Sequence, residues 1–190
     1  MKKLTVVASL LLALSATTFA QTWSVDKAHS RLSYAVTHMG ISESEGAFRT
    51  FDAKITSSKE DLSDAVIEVS ADVNSLSTDN EMRDKHLKSA DFFDAEKFGT
   101  LTFKSTSFKK VSGKNYKLVG NLTLHGVTKT VTLDAVFNGT ATNPMNKKVS
   151  AGFKFTGTIK RTDFGIGASM PVAMLGDDVK ILGNAEFVKE

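Results

Sequence analysis

The chain has no cysteine and two prolines among its 190 residues, and such scarcities close off part of the possible answer. Without cysteine there is no disulfide framework, no thiolate metal site and no thiol nucleophile, so stability has to come from a packed interior. Missing too are a phosphate-cradling glycine loop and a Gly-x-Ser-x-Gly elbow that would present a serine nucleophile. Neither sign of charge dominates. The 24 Lys and Arg stand against 21 Asp and Glu, scattered without a long run, which argues against nucleic acid as a partner. Lys109-Lys110 and Lys147-Lys148 read as solvated hairpin ends. There are no internal repeats, low-complexity tracts or linkers, and the length predicts one domain.

A sustained apolar run occurs only near the start. Lys2 and Lys3 precede an apolar stretch from Leu4 to Leu14, and Thr18-Phe19-Ala20 offers a small-x-small cleavage signal. That stretch is shorter than the roughly 20 residues of a spanning helix. The expectation is a signal peptide over residues 1–20, cleaved after Ala20, then one domain over residues 21–190 in the periplasm, with no stable membrane insertion. No cysteine follows the cleavage point to carry a lipid anchor.

Beyond residue 20 the prevailing pattern is alternation with the period of a strand. Leu32, Tyr34, Val36 and His38 share one phase, and a loop from Met39 to Gly46 leads to a second strand, Phe48 to Ile55. Ala65 to Val73 alternates most cleanly. Further strands start at Leu101, Tyr116, Val131 and Val149, punctuated by Ser112-Gly113, His125-Gly126 and Asn143-Pro144. A Gly-rich loop from Phe164 to Gly176 precedes the last, Val179 to Phe187. Sandwich strands usually run about five or six residues. Several here look twice that, which predicts an all-β antiparallel barrel of about eight long strands. Such a barrel is either filled by side chains or holds one slender ligand. Gly120, Gly157 and Gly183 fall on the apolar phase, where they either relieve crowding or leave room for a ligand.

One stretch breaks the pattern. Ser77 to Phe98 opens with Thr78-x-x-Glu81, a capping box, and places Met82, His86 and Ala90 four apart on one helical face. Asp84 and Lys88 form an acid-before-base pair at i,i+4. Phe92, Phe93 and Phe98 follow in a segment too polar for a core strand. One short helix and an aromatic loop are therefore expected across an opening of the sheet.

The polar groups that carry chemistry are few. Asp26-x-x-His29, His38, Arg83-Asp84-x-His86 and His125 match no standard metal-ligand spacing. They are read as structural or ligand-orienting, with no catalytic residue, no metal and no cofactor assigned. Arg83 and Arg161 are the candidates to grip an anionic head group, because the guanidinium fork matches phosphate geometry.

Together the motifs Trp23-x-x-Asp26-x-x-His29-Ser30, Tyr34-x-x-x-His38, Gly46-x-Phe48, Arg83-Asp84-x-His86-Leu87, Asp91-Phe92-Phe93-Asp94, Gly120-x-Leu122-Thr123-x-x-Gly126-Val127-Thr128-Lys129 and Arg161-x-Asp163-Phe164-Gly165 resemble the YceI-like family, in order along the whole chain after residue 20. The resemblance implies a lipocalin-like antiparallel barrel holding a polyisoprenoid or similar long amphiphile, a periplasmic location and, in several members, a homodimer. Tyr34 stands where that family often has Phe, which places a phenol on the apolar phase. On this reading the lumen is lined by Leu32, Tyr34, Val36 and His38 from one strand, by Phe51, Phe103 and Leu118, and by Phe153 and Phe155. Met82, Arg83, His86, Phe92, Phe93 and Arg161 form mouth and lid. Burial of each CH₂ contributes about 0.8 kcal/mol, so a long tail binds tightly without polar contacts along it. The competing class is a metal- or acid–base-dependent enzyme acting on an isoprenoid lipid through His38, His86, Asp26 and Asp84. A third is an interaction protein with a solid barrel.

Overall fold

The computed structural model describes residues 20–190. The expected signal segment lies outside the described residues except for Ala20. The elements are β1 (Gln21–Val25), β2 (Arg31–His38), β3 (Ser42–Phe48), β4 (Phe51–Ser57), β5 (Val66–Asp72), β6 (Leu76–Ser77), α1 (Glu81–Lys88), β7 (Thr100–Ser112), β8 (Asn115–Leu124), β9 (Val127–Thr142), β10 (Val149–Lys160) and β11 (Leu175–Lys189). Every strand pairing is antiparallel. The ladder runs β1–β4–β5–β7–β8–β9–β10–β11 and closes again on β1, an eight-stranded barrel.

β2, β3 and β6 are continuations rather than extra layers. The C-terminal end of β11 pairs with β1 and its N-terminal part with β2, so β1 and β2 form one interrupted column. β3 and β4 form the next, and β5 and β6 a third, broken by a 3-10 turn at Val73–Ser75. The breaks divide the barrel. At the lower end, with the β7–β8 and β9–β10 turns, the ladder is closed all round. At the upper end β6 has no ladder to β7, and α1, Phe92 and Phe93 occupy the gap.

The long strands are as expected, and three expectations about local structure need correction. Phe48 to Ile55 is not one strand: Phe48 ends β3, the chain bends at Arg49 and Thr50, and β4 starts at Phe51. Met39 to Gly46 is not a loop: β3 begins at Ser42, because the ladder to β2 satisfies a backbone whose own residues, Glu43 to Gly46, have little strand preference. The helix is not capped by Thr78. Asp79 turns the chain in the left-handed region (φ 58°), and Asn80 becomes the cap, its side chain accepting from the Arg83 amide.

The lower half is solid. Phe153 is 2 % exposed and sits at the centre of an aromatic group, with Phe137, Phe155 and Phe187 at centroid distances of 5.0, 5.6 and 6.0 Å. Phe108 stacks on Tyr116 at 4.6 Å and meets Phe153 edge-on. Trp23, Ile55 and Leu62 complete this plug.

Candidate functional site

Above the plug the barrel is hollow. A cavity of about 690 Å³ runs from the aromatic floor to the upper rim. That is on the order of twenty water molecules' share of liquid volume, far beyond a packing defect in a close-packed interior. Its floor and walls are Phe155, Phe187, Leu118 with its partner Leu133, Phe103 with its partner Leu122, Ile67 and Val69, joined by Val36 and Ile181. Strand alternation produces this wall directly, since every second side chain of each strand points inward.

Of the residues expected in the lumen, Leu32, Tyr34, Val36, His38, Phe51, Phe103, Leu118 and Phe155 line the cavity. Phe153 does not. It belongs to the plug beneath, enclosed by four rings. At the mouth, Arg83, His86, Phe92, Phe93 and Arg161 border the cavity. Met82 does not: it is 84 % exposed, and Leu87 is the apolar residue of α1 that reaches the lumen. Ile166, Met170 and Leu175 also line the cavity, which the reading of their segment as a Gly-rich loop does not predict.

The lid is tied at two points. Thr78, at the end of β6, donates to Asp84 through both its amide (2.7 Å) and its hydroxyl (2.6 Å). The Arg83 guanidinium donates back to the Thr78 hydroxyl oxygen (2.8 Å) and carbonyl (2.9 Å). Burial pushes the Asp84 carboxyl up, but these bonds, with Lys88 nearby, more than offset it and hold the group below its usual range. Nη1 of Arg83 has no partner among the described residues, and Arg83 borders the cavity. Phe92 and Phe93 are buried under this knot, Phe93 edge-on to Phe48 at 6.1 Å.

The second tie corrects an expectation. Arg161, expected to grip a head group, is 3 % exposed and has its donors already committed within the chain. Nε donates to Gly176 (3.1 Å), Nη1 to the carbonyls of Ile166 (3.1 Å) and Gly167, and Nη2 to Met170 (2.8 Å) and Leu175 (3.0 Å). All five N–H groups of the fork thus serve backbone carbonyls of the loop between β10 and β11.

Tyr34 lies opposite Gly46 in the β2–β3 ladder, and its ring folds over that glycine. A Cβ at Gly46 would stand 2.5 Å from the phenol oxygen. The hydroxyl has no hydrogen-bond partner among the described residues and borders the cavity. Burial, with Asp84 nearby, pushes the phenol up to about 12, so it stays a donor in an otherwise apolar wall.

The glycine question divides. Gly120 is crowded: a Cβ there would meet the Phe103 ring and stand 2.6 Å from the Lys104 carbonyl. Gly157 is crowded by Leu133 in the same way. Gly183 lines the cavity and has ordinary clearance, 3.4 Å, to Phe155.

The histidines do not converge. His29 pairs with Asp26 at 3.0 Å on the outer surface, where each charge favours the other: the His29 pKa is raised and that of Asp26 lowered. Glu186 is close enough that the three place ligand atoms within 4.8 Å of one another, away from the lumen. His125 bonds the Phe164 carbonyl at 2.8 Å. His86 stands edge-on to Phe92 at 4.9 Å, and His38 is exposed at the end of β2. The set proposed for an enzyme, His38, His86, Asp26 and Asp84, is therefore not assembled. Among the described residues no helix is long and apolar enough to cross a membrane.

Comparison with known proteins covers the whole barrel. The profile of the YceI-like domain matches residues 23–187. UPF0312 proteins of two Staphylococcus aureus strains, N315 and Mu50, are 37 % identical over 169 residues, spanning 87 % of this chain and 96 % of theirs. Burkholderia cenocepacia BcnA superposes with TM-score 0.75 at 26 % identity, covering 85 % of this chain and 98 % of that one. The Campylobacter jejuni YCEI protein gives 0.71 at 30 %, covering 81 % and 90 %. A polyisoprenoid binding domain from Saccharophagus degradans shares the fold, with TM-score 0.64 at 15 % identity over 88 % and 98 % of the two chains.

Proposed function

The chain belongs to the YceI-like domain family, and from that premise we propose that it is an exported, non-enzymatic carrier that holds the tail of a polyisoprenoid or similar long amphiphile in its barrel. The observation that carries this reading is the 690 Å³ cavity, with its aliphatic and aromatic wall and its opening beneath a tethered lid. Such a volume falls in the range of small-molecule sites. An apolar wall offers water few partners, so an apolar occupant gains by displacing what water is there. Selectivity then rests on depth, set by Phe155 and Phe187, and on the few polar groups near the mouth, Tyr34, Arg83 and His86. The signal-like pattern of residues 1–20 supports a periplasmic location. The binding named for the Saccharophagus degradans domain supports it through the shared barrel.

The test is native purification, solvent extraction and mass spectrometry, followed by reloading of the stripped protein with a polyprenol. A stoichiometric long-chain lipid and saturable reloading are expected. Ile181→Trp, which puts a large ring into the lumen from a cavity-lining position clear of the plug, should sharply reduce both while leaving the fold intact. If the native protein carries no lipid and the stripped protein takes none up, the carrier reading fails.

A further inference from the structure

The upper rim carries an apolar surface that lumen binding does not require. Among the described residues eight large hydrophobic side chains are exposed. Three, Val66, Val111 and Met145, are scattered at the lower end. The other five, Met39, Ile41, Met82, Val172 and Met174, stand on segments around the mouth. Ile41 is 85 % and Val172 61 % exposed.

Met82 stands on the charged helix α1, but charge is absent from the two tips that carry Met39 and Ile41, and Val172 and Met174. Neither Phe164 to Gly176 nor Leu32 to Ser42 holds an Asp, Glu, Lys or Arg, in a chain that is 24 % charged. The two tips are also joined, since the Met39 amide donates to the Met174 carbonyl at 2.9 Å. Within the longer loop, Met174 and Leu175 donate back to the Pro171 carbonyl. The Arg161 fork takes the carbonyls of Ile166, Gly167, Met170, Leu175 and Gly176 from inside. The loop therefore turns much of its backbone polarity toward a buried cation, with Ile166 and Met170 toward the lumen and Val172 and Met174 exposed. A surface entering lipid needs that arrangement, because a backbone group left unpaired there is costly.

We propose that this rim, the β2–β3 tip with the Phe164–Gly176 loop, is a docking surface for a lipid bilayer, which seats the open mouth of the barrel against the membrane. Exposed side chains of this number cover on the order of a few hundred Å². That falls short of the roughly 800 Å² per partner that a stable protein pair buries. Protruding tips around an opening also leave a void against a second copy, whereas fluid lipid fills in around them. The contact is peripheral and reversible, as for other shallow apolar anchors. The neutrality of the tips makes it depend little on anionic lipid, although Lys85 and Lys88 on α1 add some attraction to it.

The experiment is flotation with phosphatidylcholine vesicles, and with vesicles containing phosphatidylglycerol, using the wild type and an Ile41→Asp/Val172→Asp pair. Neither residue borders the cavity, so polyprenol loading from detergent is followed in parallel. The wild type should float on both vesicles, and the pair should lose at least about tenfold of the bound fraction while loading normally. Ile41→Leu/Val172→Leu should float like the wild type, which guards against a folding artefact. Failure of the wild type to float overturns the proposal, as does equal flotation of the Asp pair. A wild-type dimer in sedimentation that the Asp pair dissolves, without flotation, assigns the rim to a second copy and also overturns it. Loss of polyprenol loading in the wild type would sink the carrier reading and leave the docking result standing.

Discussion

The lower and upper halves of the barrel are written in the same code and packed in opposite ways. Both alternate large apolar residues with polar ones, and both are rich in phenylalanine. Below, Phe108, Tyr116, Phe137 and Phe153 interlock in a closed ladder. Above, Phe51, Phe103 and Phe155 line an open space. The contrast shows that alternation determines which face is apolar, while continuity of the ladder determines whether that face can close on itself. Where β1, β4 and β5 break and continue as β2, β3 and β6, the third column parts from β7. A lid held by polar ties then covers the gap in place of a filled core.

The largest effect that can break this comparison is on stability. Phe153→Ala should cost about 3–5 kcal/mol, since it removes a ring packed on all sides. Phe155→Ala, whose ring already faces empty volume, should cost about 1–2 kcal/mol less and deepen the lumen. Urea denaturation measures both. Equal losses would mean that the upper half is packed as tightly as the lower.

Next in size is the loop tie. Arg161→Lys keeps the charge but loses the planar fork, leaving buried carbonyls without donors, and should cost about 2–4 kcal/mol. The same variant should be cut faster by proteases between Phe164 and Gly176, with little change in the lower half by hydrogen exchange. Uniform loosening of both halves would show that the two are one cooperative unit.

The glycines sharpen the contrast at finer scale. Gly120→Ala drives a Cβ into the Phe103 ring and the strand behind it and should cost about 1–3 kcal/mol. Gly183→Ala projects into the lumen with ordinary clearance and should change stability by less than about 1 kcal/mol. Its effect should show in lipid loading instead.

Much of this architecture was legible in the residues. Long alternating strands predicted the barrel, and Phe92 and Phe93, stranded among Asp91, Asp94 and Lys97, predicted an aromatic lid. The distinction between solid and hollow was not legible, because Phe153 and Phe155 occupy the same phase of the same strand and differ only in what faces them. Nor was the role of Arg161. An arginine beside a Gly-rich loop was read for phosphate, when the loop's own carbonyls were the nearer acceptors. The signal was there in the thirteen uncharged residues from Phe164 to Gly176, whose backbone needs a donor from outside the loop. Strand β3 was hidden for the opposite reason, its polar residues being held by the neighbouring ladder rather than by their own preference.

The subtlest prediction, a difference between two pH profiles, asks how dry the upper half is. Tyr34 places one hydroxyl in its apolar wall, with a pKa raised to about 12 mainly by burial, against about 10 in an unfolded chain. Between those values the unfolded chain gives up the phenolic proton while the folded chain keeps it. The folded state then binds more protons, so stability must fall as pH rises from about 10 to 12. The size is bounded by the shift, at most about 2–3 kcal/mol across the window. Lysines titrate in the same range, so the measurement is the difference between the wild type and Tyr34→Phe in urea unfolding from pH 9 to 12. At pH 7 the substitution should change stability by less than about 1 kcal/mol, because the hydroxyl it removes bonds to no described residue. Above pH 10 the variant should lose part of the wild type's decline. If the two curves stay parallel, the phenol is as well solvated as in the unfolded chain. The upper cavity would then be filled with ordered water near its mouth, and an apolar tail would have to stop below Tyr34.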